Sequence, residues 1–174
     1  MARKLSLQDF LPYLLNRAGV RMGIMFSKDI EPHEITLPMW RVMNELWHRG
    51  EFRLGELAER TDIDISTLSR LLVTMQKKGL IVRRRSGSDG RALSLTLTPE
   101  GLELSERIAP LALHYEALAM QGLSPAEVKT LKQLLQRVFQ NLENAGPERV
   151  EKETAGKPRA VKRAAPRARL KDSA

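Results

Sequence analysis

The chain has 174 residues, enough for one sizeable core, and carries 29 Lys/Arg against 21 Asp/Glu for a net charge of +8. It holds no cysteine, which excludes disulfides, thiolate zinc sites and thiol-based redox sensing. There is no Gly-rich phosphate loop, HExxH or nucleophile-elbow pattern, so an enzyme is not expected, and the seven methionines fall at core-like spacings. His33, His48 and His114 are too scattered to make a metal site by spacing. Neither a metal nor a cofactor is expected. No apolar run approaches the length of a membrane span, and Met1-Ala2-Arg3-Lys4 does not lead into a signal-type core, so a cytoplasmic protein with no membrane partner is expected.

In chain order, Leu7, Phe10, Leu11, Leu14, Leu15, Ala18, Met22, Met25 and Phe26 form a long apolar stripe at helical period that stops before Glu31-Pro32. Trp40, Met43 and Trp47 mark a second helix, opened by Thr36 and Pro38. Leu54, Leu57 and Ala58 stripe a short third helix, and Asp62-Ile63-Asp64 makes a turn with Ile63 as its apolar plug. Asp64 is the natural N-cap of the next helix. There Leu68, Leu71, Leu72 and Met75 pack one side down, while Ser66, Ser69, Arg70, Val73 and Lys77 fall on the other, with Thr67 and Thr74 beside them. Lys77-Lys78-Gly79 predicts a helix end with cations at the negative pole and a left-handed glycine cap.

Next comes a β pattern. Leu93, Leu95 and Leu97 alternate with Ser94, Thr96 and Thr98, predicting a strand with one buried and one wet face, paired antiparallel to residues 80–85. The loop between them, Ser86-Gly87-Ser88-Asp89-Gly90-Arg91, has two glycines able to turn a hairpin tip. Thr98-Pro99-Glu100 starts another helix, with Pro110 inside it as an expected kink. Gly122 breaks the run, and Ser124-Pro125-Ala126-Glu127 is a capping box for a last helix striped by Val128, Leu131, Leu134, Leu135, Val138 and Leu142. From Ala145 the composition turns polar and basic, nine Lys/Arg against four Asp/Glu, and disorder is expected there. This tail reads equally as a non-specific DNA arm or as a solubilising extension.

Two helices, a tight turn and a β-hairpin loop in that order make a winged helix-turn-helix. Between Arg70 and Arg91 there are seven cations and one acid, Asp89. Such a surface suits a phosphate backbone, and a helix with small hydroxyl side chains can enter a major groove. Any single arginine here could be a solvated face; helix, turn and wing in register argue otherwise for the segment. Thr74, Lys77 and Arg85 complete the candidate DNA surface.

These residues resemble the MarR family, the multiple-antibiotic-resistance type of bacterial transcription regulators. The resemblance runs from about Ser6 to Leu142 and is carried by LPMWRVMNELW (37–47), LGELAERTDIDISTLSRLLVTMQKKGLIVRR (54–84) and SDGRALSLTLTPEG (88–101). It implies a mainly α fold with a small β-wing, in which N- and C-terminal helices (1–35 and 99–144) interlock with a twofold mate and flank a DNA-binding lobe (36–98). It makes Ser66, Thr67, Ser69 and Arg70 recognition-helix contacts. Asp89-Gly90-Arg91 is similar to the family's wing signature, in which Asp orients the Arg toward the minor groove. Ile65 stands where the family often has Pro.

The implied function is a dimeric regulator, a repressor of a pseudo-palindromic operator on double-stranded DNA, released by a small effector such as an aromatic carboxylate or an acyl thioester. Tyr13, Arg17 and Arg21, spaced i, i+4, i+8, could meet such a ligand, with Trp40 and Met43 as apolar walls. Ion pairing for the arginines and core packing for Trp40 and Met43 stay open beside that reading. The rival function is a constitutive architectural DNA binder that uses wing and basic tail without any ligand.

Overall fold

The computed structural model describes residues 6–85 and 93–154, with the backbone alone for Arg85, Leu93 and 146–154. The wing tip, including Asp89 and Arg91, lies outside the described residues.

After a 3-10 turn at Leu7–Asp9, α1 runs Leu11–Ile30, α2 Leu37–Arg49, β1 Phe52–Arg53, α3 Leu54–Thr61, α4 Ile65–Lys77, β2 Ile81–Arg85, β3 Leu93–Leu97, α5 Pro99–Ala119 and α6 Pro125–Thr154. Pro12, at the start of α1, separates the opening turn from the helix, so the first stripe is interrupted at Phe10 rather than continuous from Leu7. The sheet is three-stranded in the order β1-β3-β2. β2 and β3 pair antiparallel from Ile81↔Leu97 to Arg85↔Leu93, the hairpin that the alternation predicts. β1 has no counterpart in the sequence reading. Its two residues, paired as Phe52↔Leu95 and Arg53↔Ser94, are too few to carry a period. That extra strand makes β3 central, so the expected wet face fails at Ser94. This residue is only 3% exposed, and its hydroxyl donates to the Arg84 carbonyl at 3.3 Å.

The described residues up to 121 form one compact unit. Its core takes Met39, Val42, Met43 and Leu46 from α2, Leu57 from α3, Leu68, Leu72 and Met75 from α4, and Leu95 from β3. Phe26 and Ile30 at the end of α1 and Ile108 of α5 join the same core. The boundaries expected at 35/36 and 98/99 are therefore not divisions in packing. The C-terminal end of α1 and part of α5 cover the winged lobe. The other half of α1 is different, with Leu11, Leu14, Leu15 and Met22 all exposed.

Gly101 shows how closely α5 is seated. A Cβ there would lie 2.0 Å from the Leu80 carbonyl oxygen. Thr98 caps the helix, its Oγ1 accepting from Gly101 N–H at 3.0 Å, while its backbone N–H donates to that same Leu80 carbonyl at 3.1 Å. Pro110 is inside α5, and the helix continues through it.

The described residues from 122 onward make a second unit. The Ser124–Glu127 capping box is present: Glu127 accepts from Ser124 N–H at 2.8 Å and Ser124 Oγ accepts from Glu127 N–H at 3.3 Å. The expected break at Ala145 does not occur, because α6 continues to Thr154. Glu148, Arg149, Glu151 and Lys152 are helix-forming residues, and their propensity carries the backbone past Gly146-Pro147.

Candidate nucleic-acid interface and ligand cleft

The turn between α3 and α4 depends on Asp62, which takes a left-handed conformation at φ +53°, one that Asp tolerates better than most residues. Asp64 then caps α4, its Oδ1 accepting from Thr67 N–H at 2.9 Å and from the Ser66 hydroxyl at 2.6 Å. Those bonds, the Ser66 hydroxyl foremost and then Thr67, hold the Asp64 carboxyl well below the usual carboxylate range. At the other end Gly79, at φ +72°, closes the helix with Gly79 N–H on the Gln76 carbonyl and Leu80 N–H on the Met75 carbonyl, both 3.0 Å, a Schellman close. Both ends of α4 are thus fixed by the residues that the sequence marked. Its buried side is complete, with Leu68, Leu72 and Met75 fully enclosed.

The opposite side gathers Ser66, Thr67, Arg70, Val73, Thr74 and Lys77, all exposed, with Ser69 half-buried at its edge. The hydroxyls are less free than their exposure suggests. Ser66 commits its proton to a carboxylate, and Thr74 Oγ1 donates to the Arg70 carbonyl at 3.3 Å. Thr67 Oγ1 accepts from Arg70 Nη2 at 3.4 Å. The cationic donors for phosphates or base edges on this face are the Arg70 guanidinium and the Lys77 ammonium.

Of the other cations, Arg83 and Arg84 are exposed on β2. Lys78 is held by Glu34 at 2.8 Å, and that bond lowers the Glu34 carboxyl below its ordinary range. Arg85 ends β2 opposite Leu93, with its side chain outside the described residues.

The ligand set expected from the sequence is not gathered in one place. Met43 is wholly enclosed in the core, and Arg17 and Arg21 are exposed on α1, outside the lining of the cleft beside Trp40. Tyr13 is half-buried and likewise stands outside that lining. Trp40 does line a cleft of about 350 Å³, together with Met22, Phe26, Leu37, Arg41 and Tyr115. Its aromatic wall is built edge to face: Phe26 lies 5.9 Å from Trp40 and 6.0 Å from Tyr115, ring centre to ring centre. The Tyr115 hydroxyl donates to Asp29 Oδ2 at 2.7 Å, which raises the phenol above its usual range. Arg41 and Tyr115 are the cleft's polar groups. Sequence spacing missed both because three helices, not one stripe, bring them together.

No helix among the described residues is long and apolar enough to cross a membrane. Among those residues no group of three His, Asp or Glu is placed to hold a metal ion.

Residues 35–93 match the family model described as the MarR family. An HTH-type transcriptional repressor of Pseudomonas putida, IacR, is 29% identical over 78% of this chain and 81% of its own length. A MarR-family regulator from Silicibacter pomeroyi superposes with a TM-score of 0.72 at 26% identity, covering 80% of this chain and 96% of that one. Bordetella bronchiseptica BpsR, whose DNA binding is regulated by 6-hydroxynicotinic acid, superposes at 0.71 with 26% identity over 79% and 98% of the two chains. Residues 35–93 thus carry the MarR-family pattern, and the chain as a whole is similar to DNA-binding transcriptional regulators of that family in its winged helix-turn-helix and capped α4.

Proposed function

We propose that the protein is a cytoplasmic, sequence-specific repressor that binds a pseudo-palindromic operator as a homodimer and releases it when a small aromatic acid is bound. The observation that carries the reading is the division of α4. One side is sealed into the core, and the other is left exposed over three turns with Arg70 and Lys77 as its cationic donors. A helix so mounted is rigid enough to present base-reading groups in a major groove. The wing loop around Asp89 and Arg91 takes the neighbouring minor groove, as the resemblance implies.

The dimer is supported by the apolar side chains that a single chain leaves exposed: Leu11, Leu14 and Leu15 on α1, and Leu134, Phe139 and Leu142 on α6. A twofold pair places two copies of α4 on half-sites one turn of DNA apart. The basic residues beyond Thr154, seven Lys/Arg against one Asp, add phosphate contacts that carry no sequence information.

The effector reading transfers from Arg17 and Arg21 to the cleft beside Trp40. There Arg41 can take a carboxylate in bidentate fashion while Phe26, Trp40 and Tyr115 enclose a ring. BpsR, with its 6-hydroxynicotinic acid, is the relative that supports an aromatic acid as the ligand class.

Selection of duplexes from a random pool tests the whole reading. A repressor enriches a short pseudo-palindrome, keeps hold of it against competitor DNA, and loses it to at least one member of a panel of aromatic carboxylates. Binding with no enriched sequence contradicts the reading and leaves the architectural alternative. An enriched operator that no carboxylate releases removes the effector alone.

A further inference from the structure

Val73 is an anomaly on α4. It is a β-branched apolar residue, 45% exposed, on the side of the helix that otherwise carries Ser66, Arg70 and Lys77. At about 100° per residue, Val73 lies roughly 20° from Ser66, 40° from Lys77 and 60° from Arg70 around the helix axis. It therefore sits inside the polar stripe. Ile65, the other exposed apolar residue of α4 at 57%, is a different case. It lies roughly 20° from fully enclosed Leu72 and is uncovered only because it begins the helix.

The hydrogen bonds around Val73 sharpen the anomaly. Thr74 turns its hydroxyl proton back to the Arg70 carbonyl, and Ser66 gives its proton to Asp64. The centre of the exposed face is thus a pair of methyl groups flanked by a guanidinium and an ammonium, with the hydroxyl protons of Ser66 and Thr74 engaged elsewhere. In a major groove the apolar feature that such a centre can meet is the 5-methyl group of thymine, while a guanidinium suits guanine O6 and N7.

We propose that Val73 is a specificity-determining residue that packs on a thymine methyl in each operator half-site. Arg70 and Val73 are three residues apart, a rise of about 4.5 Å along the helix. Against a base step of about 3.4 Å, the thymine lies within two base pairs of the base addressed by Arg70. The inference rests on the operator-reading function above and adds to it a hydrophobic element of sequence recognition.

The test uses full-length protein and the duplex selected by the wild type, with each thymine of one half-site replaced in turn by uracil. This removes the methyl group and leaves the Watson–Crick and minor-groove edges unchanged, so the wing does not respond. At one thymine near the Arg70-sensitive base, uracil weakens wild-type binding about fourfold, the equivalent of one buried methylene-sized group. Val73→Ala binds the thymine and uracil duplexes equally, and the near-isosteric Val73→Thr loses most of the discrimination. Thermal melting of both variants matches the wild type, since the side chain lies outside the core. Uracil that is neutral at every position, or that costs Val73→Ala as much as wild type, overturns the role of Val73 while leaving the selected operator standing. Failure to select any sequence overturns both.

Discussion

Helices α1 and α4 carry the same kind of pattern, an apolar stripe at helical period, and the structure treats the two stripes in opposite ways. In α4, Leu68, Leu72 and Met75 are fully enclosed by their own chain. In α1 only Phe26 and Ile30 at the C-terminal end reach the core, and Leu11, Leu14 and Leu15 remain on the surface. Periodicity therefore says that a helix has an apolar face but not whose surface covers it. For α4 the cover is α2, α3 and the sheet, so the polar face is fixed and can serve recognition. For α1 a second copy of the chain is the proposed cover, so its apolar face serves assembly.

The largest way to disturb the α4 side of this contrast is to lift α5 off the end of the recognition lobe. Gly101→Ala places a methyl group against the Leu80 carbonyl, backbone against backbone, with no flexible side chain to yield. We expect loss of the cooperative thermal transition or a fall in Tm above ten degrees, since an overpacking cost of about 1–3 kcal/mol is a lower bound where the backbone must move. A variant that melts as wild type shows that α5 is not seated there.

Substitution on the α1 side should leave the fold intact and change its association. Leu14→Glu with Leu15→Glu puts two charges on the exposed stripe. Sedimentation should then give a monomer with unchanged helical content, and operator affinity should fall by two orders of magnitude or more as the second half-site is lost, in line with avidity gains of about 10²–10⁴. A variant that stays dimeric and keeps its affinity assigns the stripe to another role.

The smallest effect concerns the cap. Asp64→Ala removes an acceptor shared by Thr67 N–H and the Ser66 hydroxyl, and Tm should fall by on the order of a few degrees at neutral pH. The folded-state pKa of Asp64 is depressed. Its contribution is therefore complete above the ordinary carboxylate range and is lost as the pH falls below that range toward the folded value. The Tm gap between wild type and variant should narrow in strong acid. A gap that widens on acidification contradicts the capping role.

Much of this was legible in the sequence because it is local. Asp64 and Gly79 mark the ends of α4, the Leu93–Leu97 alternation sets the hairpin, and Ser124-x-x-Glu127 announces α6 with the bonds found. What was not legible depends on distant partners or on competition. β1 exists because β3 offers an edge to Phe52 and Arg53, and it is the same pairing that buries Ser94. The cleft polar groups Arg41 and Tyr115 are 74 positions apart in sequence and meet only through packing. Position in the sequence points the hydroxyls of Ser66 and Thr74 toward DNA, yet their protons are used within the chain. Beyond Ala145, helix-forming residues continue α6 to Thr154, into the segment whose polar, basic composition predicts disorder.

The central claim, that the exposed side of α4 reads base sequence, is tested most directly by Arg70→Ala. Its affinity should be measured at fixed salt for the selected operator and for a scrambled duplex of the same composition. The account predicts a loss of about 1–3 kcal/mol per base-contacting arginine on the operator, and a much smaller loss on the scrambled duplex. Equal losses on the two duplexes would make Arg70 a phosphate contact and contradict the claim.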